Sequence, residues 1–235
     1  MFIGAAGIAV RALAPLLTHK STDPPVLVLD PAGRYVVSLL SGHWGGGNDL
    51  ARHVARLLGA APVITTASDA AASAEDKASP TKNAPLALDI LLRDAGLRPV
   101  DWDRLPTAQA ALLEGKQLRV WDPCRAVPEH PALVRLPAKN ASTPPAAGVE
   151  GPLLVAHWKL LPPDAPTLRV AVPRLFVGLG CRNGVSPALL EDAVRRLLAE
   201  HGLEPQAVAA LATVTEKLRE PALQALAASL HGPGF

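Results

Sequence analysis

An uninterrupted apolar run, Val26–Leu29, lies near the start of the chain. Such a run predicts a strand covered on both faces, because a strand with one face in water alternates apolar and polar residues. Residues 30–33 (DPAG) follow, with proline second and glycine fourth, and this pattern predicts a type I turn. Tyr35–Leu40 is a second, mainly apolar run. We therefore expect the two runs to pair as a β-hairpin.

A glycine-rich loop, SGHWGGGN at residues 41–48, separates this hairpin from a helical pattern. Asn48 is a good N-cap residue, and Gly59 is placed to end the helix. The predicted buried face of the helix consists of Leu50, Val54, Leu57 and Leu58. Pro62–Thr66 is predicted to be the next strand. The order strand, glycine loop, helix, strand predicts an α/β unit whose loop lies where such sheets bind ligands.

Proline-rich stretches divide the chain, which has 24 prolines among its 235 residues. We expect a first module at residues 1–69, a linker at 70–84, a middle module at 85–165, a second linker at 166–173 and a last module at 174–235. In the last module, Phe176–Gly180 predicts a strand, and Ser186 with Pro187 predicts a helix start. The buried face of that helix is expected to be Leu190, Val194, Leu197 and Leu198. The predicted fold class is α/β, with several small α/β modules and mostly parallel sheets.

Composition excludes several classes of protein. A net charge of +2, from 23 basic and 21 acidic residues, gives no basic field for nucleic acid. The two cysteines, Cys124 and Cys181, are far apart and outside any CxxC motif, which fits a reducing compartment and argues against a disulfide scaffold or a structural zinc site. No uncharged apolar segment reaches the roughly 18 residues that span a bilayer, and the N-terminus lacks a cationic n-region. We expect a soluble, cytoplasmic protein that does not enter a membrane.

The glycine loop allows two interpretations from its residues alone. Backbone amides at a helix N-terminus, with no Cβ atoms in the way, can hold a carboxylate or phosphate. Alternatively, the glycines only make a tight connection in crowded packing. His43 can act as a general base or acid, or it can merely bond to the loop backbone. The spacing matches neither a P-loop nor G-x-G-x-x-G, so a nucleotide is not expected.

The same segment resembles the N-terminal region of the CbiG family, the cobalt-precorrin-5A hydrolases of anaerobic cobalamin biosynthesis. The family pattern runs GI-x-VR, APLL, K-x-TDP, SLLSGH-x-GGAN and VITTATD, and the chain has GIAVR, APLL, KSTDP, SLLSGHWGGGN and VITTASD. Gly47 and Ser68 depart from the pattern, since alanine and threonine are usual there. The resemblance implies a CbiG N-terminal-like module that lacks its first β/α elements.

The last module is similar to the opening of the family's C-terminal domain. FVGLGCR at residues 176–182 matches its G-x-GCR motif, and Lys217 and Glu220 match a K-x-x-E stretch. Cys181 is either a nucleophile, if a neighbouring positive charge lowers its pKa, or a small buried residue. The resemblance implies a middle-like module by position and an incomplete C-terminal-like domain, so we expect a chain truncated at both ends.

The resemblance also implies a reaction: opening of the δ-lactone of cobalt-precorrin-5A with release of acetaldehyde, which gives cobalt-precorrin-5B. Within the matched motifs, His43 is expected to be the catalytic base, and Asp23 an orienting group or alternative base. The expected substrate-binding residues are Arg11, Lys20, Ser41, Gly42, Gly45, Gly46, Gly47, Asn48, Thr65, Thr66 and Asp69.

No separate cofactor or metal site is expected, because the resemblance implies that cobalt arrives inside the substrate. The expected partners are this cobalt-corrinoid intermediate and neighbouring enzymes of the cobalamin pathway. Two alternatives to the hydrolase remain: a non-catalytic tetrapyrrole carrier, including an inactive fragment of such an enzyme, and an interaction module that stabilises other pathway enzymes.

Overall fold

The predicted hairpin lies at the centre of a four-stranded sheet in the computed structural model of the chain. The strands are β1 (Phe2–Ile3), β2 (Val26–Leu29), β3 (Tyr35–Leu40) and β4 (Ala61–Val63), in the spatial order β1-β2-β3-β4. Strands β2 and β3 are antiparallel, as expected, and the other two pairings are parallel. The Gly33 amide donates to the Asp30 carbonyl at 2.9 Å, which closes the predicted turn.

The structure describes residues 1–19, 22–66, 86–138, 144, 151–161 and 167–231. The predicted site residues Lys20 and Asp69, and the whole predicted linker at residues 70–84, lie outside these ranges. The chain divides into two units, Met1–Ile90 and Leu91–Phe235. The three-module division stays a prediction, but residues 167–171 of its second predicted linker form a mostly buried strand, because the apolar side chains there pack inside a sheet.

The segment after β1 forms a helix that a proline shortens. Helix α1 (Ala6–Leu13) is followed by a 3₁₀ turn, Ala14–Leu16. Pro15 has no N–H to continue the α-helical hydrogen bonds, and its ring crowds the preceding turn. The chain then leaves the helix in an extended conformation at Leu17.

Helix α2 (Gly47–Leu58) follows β3, and its start differs from the prediction. Asn48 was expected to be the N-cap, but Gly46 holds that position in a left-handed conformation, with φ of +75°. Asn48 is the second residue of the helix, and its side chain is buried. Gly59 ends the helix, also in a left-handed conformation, as predicted.

The buried face of α2 is also different from the prediction. Ala51 and Ala55 are buried and pack in the core of the sheet, and Val54 packs against that core while partly buried. The leucines of the predicted face are exposed instead: Leu50, Leu57 and Leu58. Small side chains let a helix approach a sheet closely, so the alanine stripe, and not the leucine stripe, faces the strands.

The second unit contains a five-stranded sheet. Its strands are β5 (Arg98–Pro99), β6 (Leu118–Trp121), β7 (Leu133–Arg135), β8 (Leu153–His157) and β9 (Thr167–Ala171), in the order β5-β9-β8-β6-β7. Only the β5–β9 pairing in this sheet is antiparallel. Helix α3 (Leu88–Asp94) precedes β5, and α4 (Leu105–Leu113) lies between β5 and β6. Strand β8 is buried at all five positions, which is typical of a parallel strand covered on both faces.

A buried ion pair ties this sheet to the segment before α4. The Arg169 guanidinium donates to Asp101 through Nη2–Oδ1 at 2.6 Å and Nε–Oδ2 at 2.8 Å, and its Nη1 donates to the Leu161 carbonyl. Burial alone would raise the pKa of Asp101, but the hydrogen bonds from Arg169 outweigh it and leave that pKa lowered. The pair therefore holds a charged carboxylate inside the unit.

The C-terminal part of this unit has a two-stranded parallel sheet and two helices. Strands β10 (Leu175–Gly178) and β11 (Val208–Ala212) pair with each other, and the helices are α5 (Pro187–Glu200) and α6 (Pro221–His231). Leu190, Val194 and Leu198 of α5 are buried as predicted, whereas Leu197 is exposed. The described part of the chain therefore has the expected fold class, α/β with mostly parallel sheets. In the described part of the chain, no helix is long and apolar enough to cross a bilayer.

Candidate active site

The glycine loop lies at the end of β3 and is tied to the loop that precedes β2. The Ser41 hydroxyl donates to the backbone carbonyl of Asp23 at 2.6 Å. Ser41 itself has a positive φ of 52°, a conformation that side-chain-bearing residues rarely adopt. The hydrogen bond thus joins the two predicted motifs, TDP and SGH, at one edge of the first sheet.

Close approach explains why the loop is rich in glycine. A Cβ at Gly42 would lie 2.5 Å from Asn48 Oδ1, and one at Gly45 would lie 2.7 Å from Ser41 Cβ and 2.9 Å from the Ser41 carbonyl oxygen. A Cβ at Gly47 would lie 3.0 Å from the Leu40 carbonyl. The glycines therefore let the loop fold back on itself, which is the tight-connection interpretation of the sequence.

Most amides at the start of α2 bond within the loop, so they do not form the expected backbone cradle. The Gly46 amide donates to the His43 carbonyl at 3.0 Å, the Gly47 amide to the Ser41 carbonyl at 3.1 Å, and the Asn48 amide to the Gly42 carbonyl at 2.8 Å. Gly45 differs: it is exposed, and within the described residues its amide makes no hydrogen bond. The exposed Gly45 amide is therefore one donor that the loop offers to a ligand.

The His43 side chain contacts a carboxylate that is distant in sequence. His43 Nδ1 lies 2.8 Å from Asp89 Oδ2, and the two side chains are 11% and 22% exposed. The other oxygen, Asp89 Oδ1, accepts from the Ile90 amide at 3.0 Å. Both residues belong to the first unit. His43 therefore does not merely bond to the loop backbone, because its side chain contacts a carboxylate outside the loop.

Asn48 and Thr66 connect the start of α2 to the segment after β4. Asn48 Nδ2 donates to Thr66 Oγ1 at 3.0 Å, and the Asn48 side chain is buried. Thr65, its neighbour, is exposed. Asn48 therefore braces the loop, and its predicted contact with a substrate stays a prediction, as does that of Thr65.

The Asp23 carboxylate is engaged by its own loop. Asp23 Oδ1 accepts from the Thr18 hydroxyl at 2.8 Å and from the Thr18 amide at 3.0 Å. The Thr18 hydroxyl, and next the Thr18 amide, hold the pKa of Asp23 below its ordinary value. A carboxylate with a lowered pKa is a weaker base, so the geometry favours a bracing role; base catalysis by Asp23 stays a prediction.

Arg11 is the remaining predicted anchor among the described residues. It lies in the last turn of α1 and is exposed. Within the described part of the chain, no hydrogen bond or ion pair joins its guanidinium to the glycine loop. The site that the structure assembles thus consists of the loop, the Thr18–Asp23 brace, Thr66 and Asp89.

The C-terminal motifs form a second pair of braced loops. The Glu220 carboxylate accepts from the Gly184 amide at 3.0 Å, and Lys217 Nζ donates to Asn183 Oδ1. Cys181 is partly buried and packs against the hydrophobic core of α5 and α6. The K-x-x-E stretch therefore holds the loop after β10 in place, and a nucleophilic role of Cys181 stays a prediction.

Asp89 is the residue that sequence reasoning missed. Residues 86–97 carry only a helical apolar pattern, in which an aspartate near the first turn is unremarkable as a favourable partner of the helix dipole. Its distance of 46 positions from His43 leaves no periodic signal that would link the two. A single charged residue within the otherwise apolar run Leu86–Leu92 is the one cue that the sequence offers.

Two family models match the ends of the chain. The model described as cobalamin synthesis G N-terminal matches residues 1–69, and the model described as cobalamin synthesis G C-terminus matches residues 175–234. The first match contains the glycine loop, and the second contains the braced loops around Glu220.

Two curated relatives are similar along most of the chain. A cobalt-precorrin-5A hydrolase of Salmonella typhimurium strain LT2 is 36% identical over 99% of this chain and 64% of its own length. One of Priestia megaterium is 33% identical over 92% of this chain and 57% of its own length. The chain therefore spans less than two thirds of either relative. A crystal structure of a cobalamin biosynthesis protein G homolog from Sulfolobus solfataricus aligns over 98% of this chain and 62% of its own, with 17% identity and a TM-score of 0.39.

Proposed function

Because the chain belongs to the CbiG family of cobalamin-synthesis proteins, we propose that it is a cobalt-precorrin-5A hydrolase, opening the δ-lactone and releasing acetaldehyde. The observation that carries the proposal is the position of His43. Its side chain is 11% exposed at the end of β3, inside the segment that matches the family's N-terminal model. A largely buried imidazole beside a glycine loop suits proton transfer to or from a reacting group.

In the proposed reaction, His43 removes a proton from a water molecule that attacks the lactone carbonyl carbon. The exposed Gly45 amide donates to the oxyanion that develops there, since such donors act best where charge forms. Breaking the acyl–oxygen bond gives a carboxylate and an alkoxide on the two-carbon unit. The alkoxide electron pair forms the C=O of acetaldehyde as the bond to the macrocycle breaks, and the ring carbon takes a proton.

The remaining predicted residues have binding roles in this proposal. Arg11 and Lys20 anchor acidic side chains of the macrocycle, because a cation can pair with an acetate or propionate. The cobalt is part of the substrate, so the reaction uses no further cofactor. Neighbouring enzymes of the pathway are proposed as partners that supply the substrate or receive the product.

Anaerobic incubation of the 235-residue chain with cobalt-precorrin-5A, with aldehyde trapping and a mass spectrum of the pigment, tests the proposal. We expect trapped acetaldehyde and the matching loss of mass. His43→Gln should lower kcat at least about 100-fold and leave pigment binding unchanged. His53→Gln is the matched control, because His53 is an exposed histidine on α2 of the same unit.

A shifted pigment spectrum without any aldehyde would reject the hydrolase and favour the tetrapyrrole carrier. Turnover by His43→Gln at the rate of the unmodified chain would leave the hydrolase standing and remove His43 from its mechanism.

A further inference from the structure

We infer that Asp89 is the positioning residue for His43: it holds the imidazole with Nδ1 protonated, so that Nε2 is the nitrogen that accepts a proton. The inference rests on the proposed function for its catalytic meaning. The tautomer of His43 can nevertheless be measured without any substrate.

The first step is the geometry of the contact. The 2.8 Å separation of His43 Nδ1 and Asp89 Oδ2 is a normal hydrogen-bond length for a nitrogen donor and a charged acceptor. With side chains 11% and 22% exposed, the pair is shielded from most of the solvent that weakens surface contacts. The ring is therefore held in one orientation.

The second step is the direction of the hydrogen bond. An ionised carboxylate only accepts hydrogen bonds, so the hydrogen between the two groups belongs to His43 Nδ1. Asp89 Oδ1 already accepts from the Ile90 amide, a further contact that suits the anion at the start of α3. In the neutral imidazole, protonation at Nδ1 makes Nε2 the acceptor.

The third step is the consequence for catalysis. A base must present its lone pair to the water, and it gains a positive charge as it takes the proton. The Asp89 carboxylate both selects the competent tautomer and stabilises the imidazolium that forms. An asparagine at this position can instead donate its amide to Nδ1, which would place the ring hydrogen on Nε2 and remove the base.

The tautomer is measured by ¹⁵N NMR of the imidazole nitrogens in the full 235-residue chain at neutral pH or above, with the His43 signals assigned by their loss in His43→Gln. We expect a protonated Nδ1 and an unprotonated Nε2 in the unmodified chain, and a shift toward protonated Nε2 in Asp89→Asn. Asp94→Asn is the matched control, because Asp94 is an exposed carboxylate on α3 that pairs with Arg93. Protonated Nε2 in the unmodified chain, or identical spectra in Asp89→Asn, would overturn the inference.

Kinetics then separate positioning from a merely structural role. Asp89→Asn should lower kcat by a factor of about 10² to 10⁴ with KM nearly unchanged, and Asp89→Glu, which keeps a carboxylate, should recover part of it. Equal kcat in Asp89→Asn and the unmodified chain would contradict the inference while the proposed function stands. An unmodified chain that releases no acetaldehyde would contradict the proposed function, and the NMR result would decide the role of Asp89 by itself.

Discussion

The hydroxyl of Ser41 and the backbone carbonyl of Asp23 are joined by a 2.6 Å hydrogen bond, although the residues are 18 positions apart. The contact fixes the glycine loop against the loop before β2, and it uses the side chain of one motif and the backbone of the other. The Asp23 carboxylate takes no part in this contact and instead accepts a hydrogen bond from the Thr18 hydroxyl. Hydrogen bonds between and within these loops therefore hold the candidate site in place. Single substitutions in the loops test this conclusion.

Gly45→Ala should destabilise the first unit, because the new Cβ would lie within 3 Å of two atoms of Ser41, one of them in the backbone. Overpacking of this kind costs about 1–3 kcal/mol in the free energy of unfolding, measured by urea denaturation. Gly7→Ala on α1 is the control: its Cβ would meet nothing closer than Arg11 Nη1 at 4.0 Å. A Gly45→Ala protein as stable as the unmodified chain would show that the loop relaxes freely.

Thr18→Val should raise the pKa of Asp23 toward its ordinary value. The substitution removes the hydroxyl whose hydrogen bond is the main cause of the lowered pKa and keeps the backbone amide. Titration of the carboxyl ¹³C signals by NMR measures the effect. The pKa of Asp30, lowered chiefly by the Tyr35 amide, should not change. An unaltered Asp23 curve would mean that the Thr18 hydroxyl does not stabilise the carboxylate in solution.

Glu204→Gln should raise the Tm at neutral pH. Burial is the main cause that raises the pKa of Glu204, so ionisation of this side chain opposes folding. The penalty is absent below the pKa of the unfolded chain, develops as the pH rises toward the folded-state pKa, and persists above it. The gain should therefore vanish in acid. Glutamine can still accept from the Gln206 amide.

Thermal unfolding of Glu204→Gln across this pH range should be compared with Glu200→Gln, where the substituted side chain is exposed. A lower Tm for Glu204→Gln at neutral pH would show that the charge is better accommodated than its burial indicates.

Asp101→Asn should strongly destabilise the second unit. Arg169 would keep its buried charge but lose the carboxylate that accepts from Nε and Nη2. Breaking one partner of a buried pair costs about 3–5 kcal/mol, measurable by urea unfolding. Asp192→Asn, which breaks an exposed pair with Arg196, should cost less than about 1 kcal/mol. Equal losses in the two variants would show that burial adds nothing to the Asp101–Arg169 pair.

The same pair predicts a sensitivity to acid. The hydrogen bonds from Arg169 leave the pKa of Asp101 lowered despite the opposing effect of burial. The stability that this carboxylate contributes is therefore present above the pKa of the unfolded chain and is lost as the pH falls toward the folded-state pKa. Asp101→Asn should reduce the dependence of Tm on pH in this acid range; an unchanged dependence would contradict the prediction.

Sequence alone determined the elements that local rules govern. The strands Val26–Leu29 and Tyr35–Leu40 have the predicted bounds, the turn between them closes at Gly33, and helix α2 ends at Gly59. These features depend on apolar runs, on the fixed φ of proline and on glycine's tolerance of positive φ, which act over a few residues. The SGH motif likewise identified the family, because its residue types are rare in that order.

Only the tertiary structure decided which groups meet in space. It buried Ala51 and Ala55 in place of the leucines of α2, because the depth of a helix on its sheet depends on both surfaces. It directed the Gly46 and Gly47 amides into hydrogen bonds within the loop and left the exposed Gly45 amide as a donor. It also brought Asp89 to His43 from 46 positions away. A hydrogen bond between distant residues leaves no local pattern, since its geometry exists only once the intervening chain has folded.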